Sequence, residues 1–238
     1  MIANIKHLAI IMDGNRRWAT KKGLPKLLGH TEGAKVLKKI AEAVRERGIP
    51  YFTVWALSTE NLKNRGETEL KHLFALFNQL TDYLDDFFKN DTRCNLIGDL
   101  SQLPEDTQER LRAMVEKTKN NKSMVLTLAI NYGGRDEILR AIRKYVAEKK
   151  SIPPLVGEGE GGVKITEKTF QKYLDTATIP DPDLIIRTGG HQRLSGWMPW
   201  QTTYSELYFT PVYWPAFTEE DLDKAIEWFN EQERNQGA

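Results

Sequence analysis

Residues 7 to 18 read HLAIIMDGNRRW, and within one residue the stretch passes from apolar to chemically loaded. Leu8, Ala9, Ile10, Ile11 and Met12 form a short apolar run, the pattern of a strand buried on both faces. Asp13, Gly14, Asn15, Arg16 and Arg17 then place a carboxylate, a permissive backbone position, an amide and two guanidinium groups at that strand's carboxyl end, where open α/β sheets bind ligands. Asp13 alone would repel a phosphate. With a divalent cation and Arg forks on the same loop it would clamp a diphosphate. For this stretch by itself, a strand running into a polar turn is the plain alternative.

Residues 184 to 195, LIIRTGGHQRLS, repeat the logic. An apolar strand ends in Arg187, Gly189 and Gly190 let the backbone approach a ligand, and Arg193 and Ser195 follow. Arg suits bidentate phosphate recognition, so a second anion site is expected here, although loops with Arg and Gly are common. Glu206, in SELYF at 205 to 209, stands beside an apolar strand, where an unpaired carboxylate would be costly to bury. It is either a surface residue or faces a metal or an arginine.

The elements that must carry these loops alternate between strand and helix. Gly29-His30 precede a helical pattern of Ala34, Leu37, Ile40, Ala41 and Val44 closed by Gly48, whose first turn would aim free N–H groups at the Asp13 loop. The strand YFTVWAL at 51 to 57 ends in Ser58, Thr59, Glu60 and Asn61. From Glu67 to Phe88 the spacing of Leu70, Leu73, Phe74, Phe77, Leu80, Leu84, Phe87 and Phe88, widened by Leu76 and Tyr83, predicts one helix roughly 33 Å long. It packs as a core helix or in part walls an apolar tunnel.

Further strands are expected at 93–97, 124–130, 183–187 and 206–210. A helix opened by Pro104 and closed near Asn120-Asn121 lies between the first two. Asn131-Tyr132-Gly133-Gly134 turn into a helix bearing Ile138, Leu139, Ile142 and Val146, and 151–162 reads as a surface loop. A short helix starts near Thr166, and Thr218 with Asp221 caps a final helix bearing Leu222, Ala225, Ile226 and Phe229. The pattern predicts an α/β fold: one doubly wound domain over 1–238 with a mostly parallel six-stranded sheet flanked by helices.

Composition narrows the function classes. With 40% hydrophobic and 28% charged residues the chain can bury a good core. Lys plus Arg is 34 against 33 for Asp plus Glu, so no global basic field argues for nucleic acid and any anion site is local. The single cysteine, Cys94, leaves no internal disulfide and suits a reducing compartment. No apolar run approaches the roughly 18 residues of a membrane span, and the run after His7 is too short for a signal-peptide core. A cytoplasmic, soluble protein is expected.

Taken in order, HLAIIMDGNRRWA, GH at 29–30, STEN at 58–61, NYGGRDEI at 131–138, DLIIRTGGHQRLS at 183–195 and WQTTYSELYF at 200–209 resemble the successive motifs of the cis-prenyltransferases, over nearly the whole chain. The resemblance implies the undecaprenyl diphosphate synthase-like fold and a homodimer that extends an allylic diphosphate, farnesyl diphosphate in the first instance, with isopentenyl diphosphate units, each new double bond being cis. A long-chain Z-polyprenyl diphosphate, the undecaprenyl carrier of cell-wall synthesis, is the first expectation for the product. Medium or short chains are the second. The cofactor implied is Mg2+.

Carried over residue by residue, the resemblance has Asp13 hold the metal against the allylic diphosphate, with Glu206 assisting. Gly14, Asn15, Arg17 and His30 would bind that diphosphate, and Arg187, Arg193 and Ser195 that of isopentenyl diphosphate. Ser58 and Asn61 would sit near the reacting carbons, Asn61 sharing the catalytic role with Asp13. Trp18, Lys26, Glu60 and Arg65 complete the substrate-binding set. No nucleic acid is implied, and release of a long product implies transient peripheral contact with the inner face of the membrane.

Some positions depart from the family pattern. Lys26 stands where Arg is frequent, Leu62 where Trp is, and Arg65 follows a one-residue slip. His191 replaces the usual Glu; it either makes the second diphosphate site more cationic at low pH or is a neutral change on the loop's outer side, and the second is the expectation. DDFFKND at 85–91 mimics the aspartate-rich motif of the trans-prenyltransferases, but those enzymes are all-helical and need two such motifs. A phosphohydrolase of the haloacid dehalogenase kind would want Asp at position 15, which is Asn, and a non-catalytic family subunit would lack Asp13. Product length is expected to follow an apolar tunnel, with Ala56 leaving room and Met124 and Ile130 narrowing it.

Overall fold

The strands come first, because they are what the apolar runs specify. In a computed structural model that describes residues 5–82, 84–148 and 165–233, and whose described side chains omit those of 84, 85 and 88, six strands form one sheet in the order β3-β4-β2-β1-β5-β6. They are β1 His7–Ile11, β2 Tyr51–Ser58, β3 Thr92–Ile97, β4 Met124–Tyr132, β5 Leu184–Arg187 and β6 Glu206–Phe209. Every neighbouring pair is parallel. The expected mostly parallel six-stranded α/β domain is thus all-parallel.

Side-chain alternation sends each central strand into two cores. Leu8 and Ile10 of β1 join a large core with Leu37, Ile40, Leu73, Phe77, Leu111 and Phe229 from the helices on that face. Ala9 and Ile11 face the other way, against Ile185, Ala129, Trp197 and Met198. This second face is covered in large part by chain without a helix, since 188–205 joins β5 to β6 through turns alone. The Trp197 ring stacks on that of Trp55 in β2, centroids 4.9 Å apart, and meets Tyr132 edge-on. Buried Glu137 anchors the same connection, accepting from the Tyr132 hydroxyl at 2.7 Å, Gln201 Nε2 at 3.1 Å and the Asp175 amide at 3.0 Å.

Helices α1 Asn15–Lys21 and α2 Lys26–Glu46 connect β1 to β2, and α3 Thr59–Asn64, α4 Glu67–Thr81 and α5 Leu84–Lys89 connect β2 to β3. Helix α6 Glu105–Thr118 precedes β4, α7 Gly134–Glu148 and α8 Glu167–Gln171 follow it, and α9 Glu219–Asn230 ends the described fold. Beside β1, β2 lies on one side and β5 on the other. The carboxyl ends of β1 and β5 therefore flank the point where the winding reverses, the usual ligand crevice of such sheets.

Several expectations need correction. The Asp13 loop is short, because Asn15–Lys21 is helical. Gly29 and His30 lie inside α2 rather than before it, and a Cβ at Gly29 would come 2.1 Å from the Asn15 carbonyl oxygen. Glycine is what lets the two helices touch. The long helix expected over 67–88 is broken: α4 ends where the Thr81 hydroxyl donates back to Asn78 O at 2.6 Å and the Asp82 amide closes on Gln79 O, a tightened last turn. Tyr83 and the side chains of Leu84, Asp85 and Phe88 lie outside the described residues, as does the loop expected at 151–162. Strand β4 runs through Asn131 and Tyr132, which were expected to turn. In α7, Leu139, Ile142 and Val146 are exposed, and Glu137, Ala141 and Tyr145 are the buried face.

Candidate active site

The crevice between β1 and β5 is built around one carboxylate. The Asp13 backbone is pinned first, its carbonyl accepting from the Trp214 amide at 3.0 Å and the Thr188 hydroxyl at 2.7 Å. Its side chain, 26% exposed, accepts from Arg17 Nη2 at Oδ1 and from Arg187 Nη2 at Oδ2, each at 3.0 Å. Burial opposes ionisation of this carboxyl, but the hydrogen bonds and charges of the two arginines outweigh it and hold it below the ordinary carboxylate range. One negative group thus ties the β1 and β5 loops together.

Each arginine is itself positioned. Arg17 Nη1 donates to Gly189 O at 2.7 Å, and a Cβ at Gly189, whose φ is +86°, would come 2.7 Å from Arg17 Nη2. Arg187 is buried and donates through Nη1 to the Arg193 carbonyl and to Ser195 Oγ, the latter at 3.0 Å. Its Nε is buried with no hydrogen-bond partner among the described residues. Gly14 caps α1 at φ +105° beneath Tyr213, whose ring a Cβ would meet at 2.7 Å. Asn15 donates to Met12 O at 3.0 Å, while its buried Oδ1 has no partner among the described residues and leaves no room for a Cβ at Gly33.

A second cluster stands on α2, α3 and α4. Glu69 Oε1 accepts from His30 Nε2 at 3.1 Å and faces Arg65 Nη1 at 3.4 Å, while its Oε2 lies 3.8 Å from Arg16. Burial and the neighbouring Arg65 charge lower the His30 pKa to about 4, so the imidazole is neutral at physiological pH. Ser58 caps α3, its Oγ accepting from the Asn61 amide at 3.0 Å. Glu69 was not singled out in the sequence. It follows Arg65 by four residues, but Arg65 lies in the extended link between α3 and α4, so no helical spacing pairs the two in the sequence.

Both clusters open into one cavity of 1640 Å³. Asp13, Gly14, Asn15, Arg17, Lys26, His30, Ser58, Glu60, Asn61, Arg65, Arg187 and Ser195 all line it. Below them its wall turns apolar, with Leu37, Leu73 and Phe77 from the helices and Met124, Leu126 and Leu128 on one face of β4. The cavity therefore follows the sheet from its carboxyl edge down to the amino end of β4, and the Lys38–Asp86 ion pair, at 2.6 Å, stands on its wall. Ala56 and Met124 are on the wall, whereas Ile130 is in the core and not among the lining residues.

Three expected site residues stand off the cavity. The Trp18 ring carries Lys22 Nζ at 4.4 Å, and Arg193 is exposed and contributes its carbonyl to Arg187. Glu206 pairs with Leu184 at the amino ends of β6 and β5, whereas Asp13 lies beyond the Ile11–Arg187 level. Three residues along the strands are roughly 10 Å, with two strand spacings across. A single chain therefore does not bring Glu206 to Asp13. His191 stays near Arg17 and Arg193, and partial desolvation and those charges lower its imidazole pKa.

No cluster of three His, Cys, Asp or Glu side chains suited to a metal occurs among the described residues. The donor set fits a hard cation of the Mg2+ kind all the same: one accessible carboxylate, each oxygen keeping a second lone pair, beside cationic groups that would hold a diphosphate. Mg2+ is commonly bound by one or two carboxylates plus substrate phosphates and water.

The family described as "Putative undecaprenyl diphosphate synthase" matches residues 11–237 of the chain. An isoprenyl transferase of Treponema denticola is 43% identical over 238 residues, covering 100% of this chain and 99% of its own. Among solved structures, lavandulyl diphosphate synthase from Lavandula x intermedia, in complex with dimethylallyl diphosphate, superposes with a TM-score of 0.88 at 35% identity over 98% of both chains. A "probable undecaprenyl diphosphate synthase" from Campylobacter jejuni superposes with a TM-score of 0.79 at 35% identity over 99% of both chains.

Proposed function

The chain belongs to the undecaprenyl diphosphate synthase family of isoprenyl transferases, and from that premise we propose that it builds a long-chain Z-polyprenyl diphosphate from an allylic diphosphate, farnesyl diphosphate in the first instance, and isopentenyl diphosphate. The single catalytic domain spans 1–238, acts as a homodimer in the cytoplasm, and touches the inner membrane face when it releases product. The undecaprenyl carrier of cell-wall synthesis is the product this reading favours.

In this reading Arg17, Lys26 and His30, with the backbone at Gly14 and Asn15, hold the allylic diphosphate at the cavity mouth while its chain runs down the apolar wall. Arg187 and Ser195, with Arg193 at the rim, hold the diphosphate of isopentenyl diphosphate. When bound at Asp13, Mg2+ supplies charge neutralisation to the departing diphosphate. Arg17 and Arg187, which flank Asp13, would stabilise the charge that develops there. The allylic C1–O bond breaks with its electron pair leaving on the diphosphate, the double bond of isopentenyl diphosphate attacks C1, and a proton passes from the adduct to the released diphosphate or to water held at Asn61, giving the new alkene. Ser58 and Asn61 on the mouth of the cavity orient the two substrates, so that a collision becomes an orientation.

The observation that carries this reading is Asp13 bridging Arg17 and Arg187 at the head of an apolar cavity of 1640 Å³. The test is incubation with farnesyl diphosphate, labelled isopentenyl diphosphate and Mg2+, with products separated by length. Wild-type protein should put label into butanol-extractable lipid, and Asp13→Ala should lose about 10²- to 10³-fold in kcat with its circular dichroism unchanged. A folded wild type that incorporates nothing from any allylic primer sinks the proposal. The likeness to lavandulyl diphosphate synthase favours a short-chain product as the second reading, which the same chromatogram separates.

A further inference from the structure

The corner between α1 and α2 is the most cationic stretch of the chain, and the site accounts for only part of it. From Gly14 to Thr31 there are five Arg or Lys residues and no Asp or Glu, in a chain whose net charge is +1. Thr20 to Lys26 are all exposed. Among the described residues none of Lys21, Lys22 and Lys26 forms an ion pair with a carboxylate, and Lys22 lies on the Trp18 ring instead. Leu24 and Leu28 project from the same corner, 39% and 41% exposed.

The corner is rigidly made. Gly23 sits at φ +68°, the Leu24 amide closes on Ala19 O at 2.9 Å, and Pro25 begins α2. Leu24 and Leu28 stay partly exposed on this backbone. The corner also borders the mouth of the cavity, since Arg16, Thr20, Lys21 and Lys26 line it.

We infer that the Lys21–Leu28 corner docks the protein on an anionic lipid surface, with Leu24 and Leu28 entering the interface and Lys21 and Lys22 meeting the headgroups. Exposed apolar groups rimmed by unpaired cations are what such a surface binds, by apolar burial plus attraction to acidic lipids. The placement gives the docking a purpose: a product drawn tail-last from the cavity would pass from mouth to bilayer without crossing water. That purpose rests on the long-chain lipid product proposed above, while the docking itself needs no turnover.

The test is co-sedimentation of substrate-free protein with vesicles of phosphatidylglycerol and phosphatidylcholine, or of phosphatidylcholine alone. A triple variant, Leu24→Ser, Leu28→Ser and Lys22→Glu, leaves the residues assigned to the diphosphates untouched. Wild type should sediment with the anionic vesicles, weaken sharply at high salt as exposed charges are screened, and ignore the neutral ones. The variant should bind the anionic vesicles at least ten-fold more weakly while keeping wild-type incorporation in detergent. Equal binding by wild type and variant, or no preference for anionic vesicles, overturns the inference. Wild type that ignores vesicles but binds soluble polyglutamate overturns it in favour of an acidic protein. If labelled incorporation fails while vesicle binding behaves as stated, the enzymatic reading falls and the docking stands.

Discussion

His7 shows how one buried side chain sets a pH dependence. It opens β1 with Nδ1–H donating to Pro180 O and Nε2 accepting from the Thr53 hydroxyl, both at 2.7 Å. Burial outweighs these bonds and lowers its pKa from 6.5 to about 4. The unfolded chain takes up a proton near pH 6.5 that the native chain refuses until about pH 4, so stability is full above that window and is lost as the pH falls through it. The loss from His7 is about 3 kcal/mol. Urea unfolding at pH 7.5 and pH 4.5 should show a steep loss for wild type, and a clearly smaller one for His7→Gln whatever its starting stability. The Asp13 carboxyl, held low by Arg17 and Arg187, works the same way at lower pH, its contribution vanishing only as the pH drops below the ordinary carboxylate range. At this scale the sequence pointed to Asp13 and Arg187 because each stands at the end of an apolar strand, and to Ser195 because it follows the Gly-Gly turn after Arg187. It did not place Glu206, whose neighbours in the chain say nothing of parallel register.

At the scale of the element, the approach of α1 to α2 positions the Asn15 end of the site. Gly29→Ala would drive a methyl into the Asn15 carbonyl, costing about 1–3 kcal/mol through forced backbone movement. It should raise the KM for the allylic diphosphate more than that for isopentenyl diphosphate, because Asn15 lies on the β1 side of the crevice. Equal changes in both would mean that the helix contact is merely structural. Strands and the capped α9 were readable because each has a sharp local signal, such as the Thr218–Asp221 capping box. Helix α1 was not: it is seven residues long with no side-chain cap and owes its form to packing. The break after α4 was equally hidden, since the apolar spacing continues across it. Periodicity picked out Ile138, Leu139, Ile142 and Val146 of α7, of which Leu139, Ile142 and Val146 are exposed, since spacing reveals which residues are apolar, not what covers them.

Over the whole molecule, the cavity's course along the sheet makes product size a question of where its wall is narrowest. Ala56 lies on that wall near the carboxyl edge, and Met124 at the amino edge. Ala56→Phe should block the passage high up and shift the product ladder to chains several isoprene units shorter, with consumption of the first isopentenyl units largely retained. An unchanged ladder would place the limiting wall elsewhere. None of the described helices is long and apolar enough to cross a membrane.

The stacked Trp55 and Trp197 rings tie the cavity to the β5–β6 connection, since Trp55 is on the cavity wall and Trp197 lies two residues after Ser195. Two indoles 4.9 Å apart and tilted by 27° form an exciton pair, and their coupling depends steeply on that geometry. The apoprotein should show a split tryptophan band in its ultraviolet circular dichroism, absent in Trp55→Phe. Titration with a non-hydrolysable allylic diphosphate should change its amplitude, so the protein carries its own optical gauge of cavity filling.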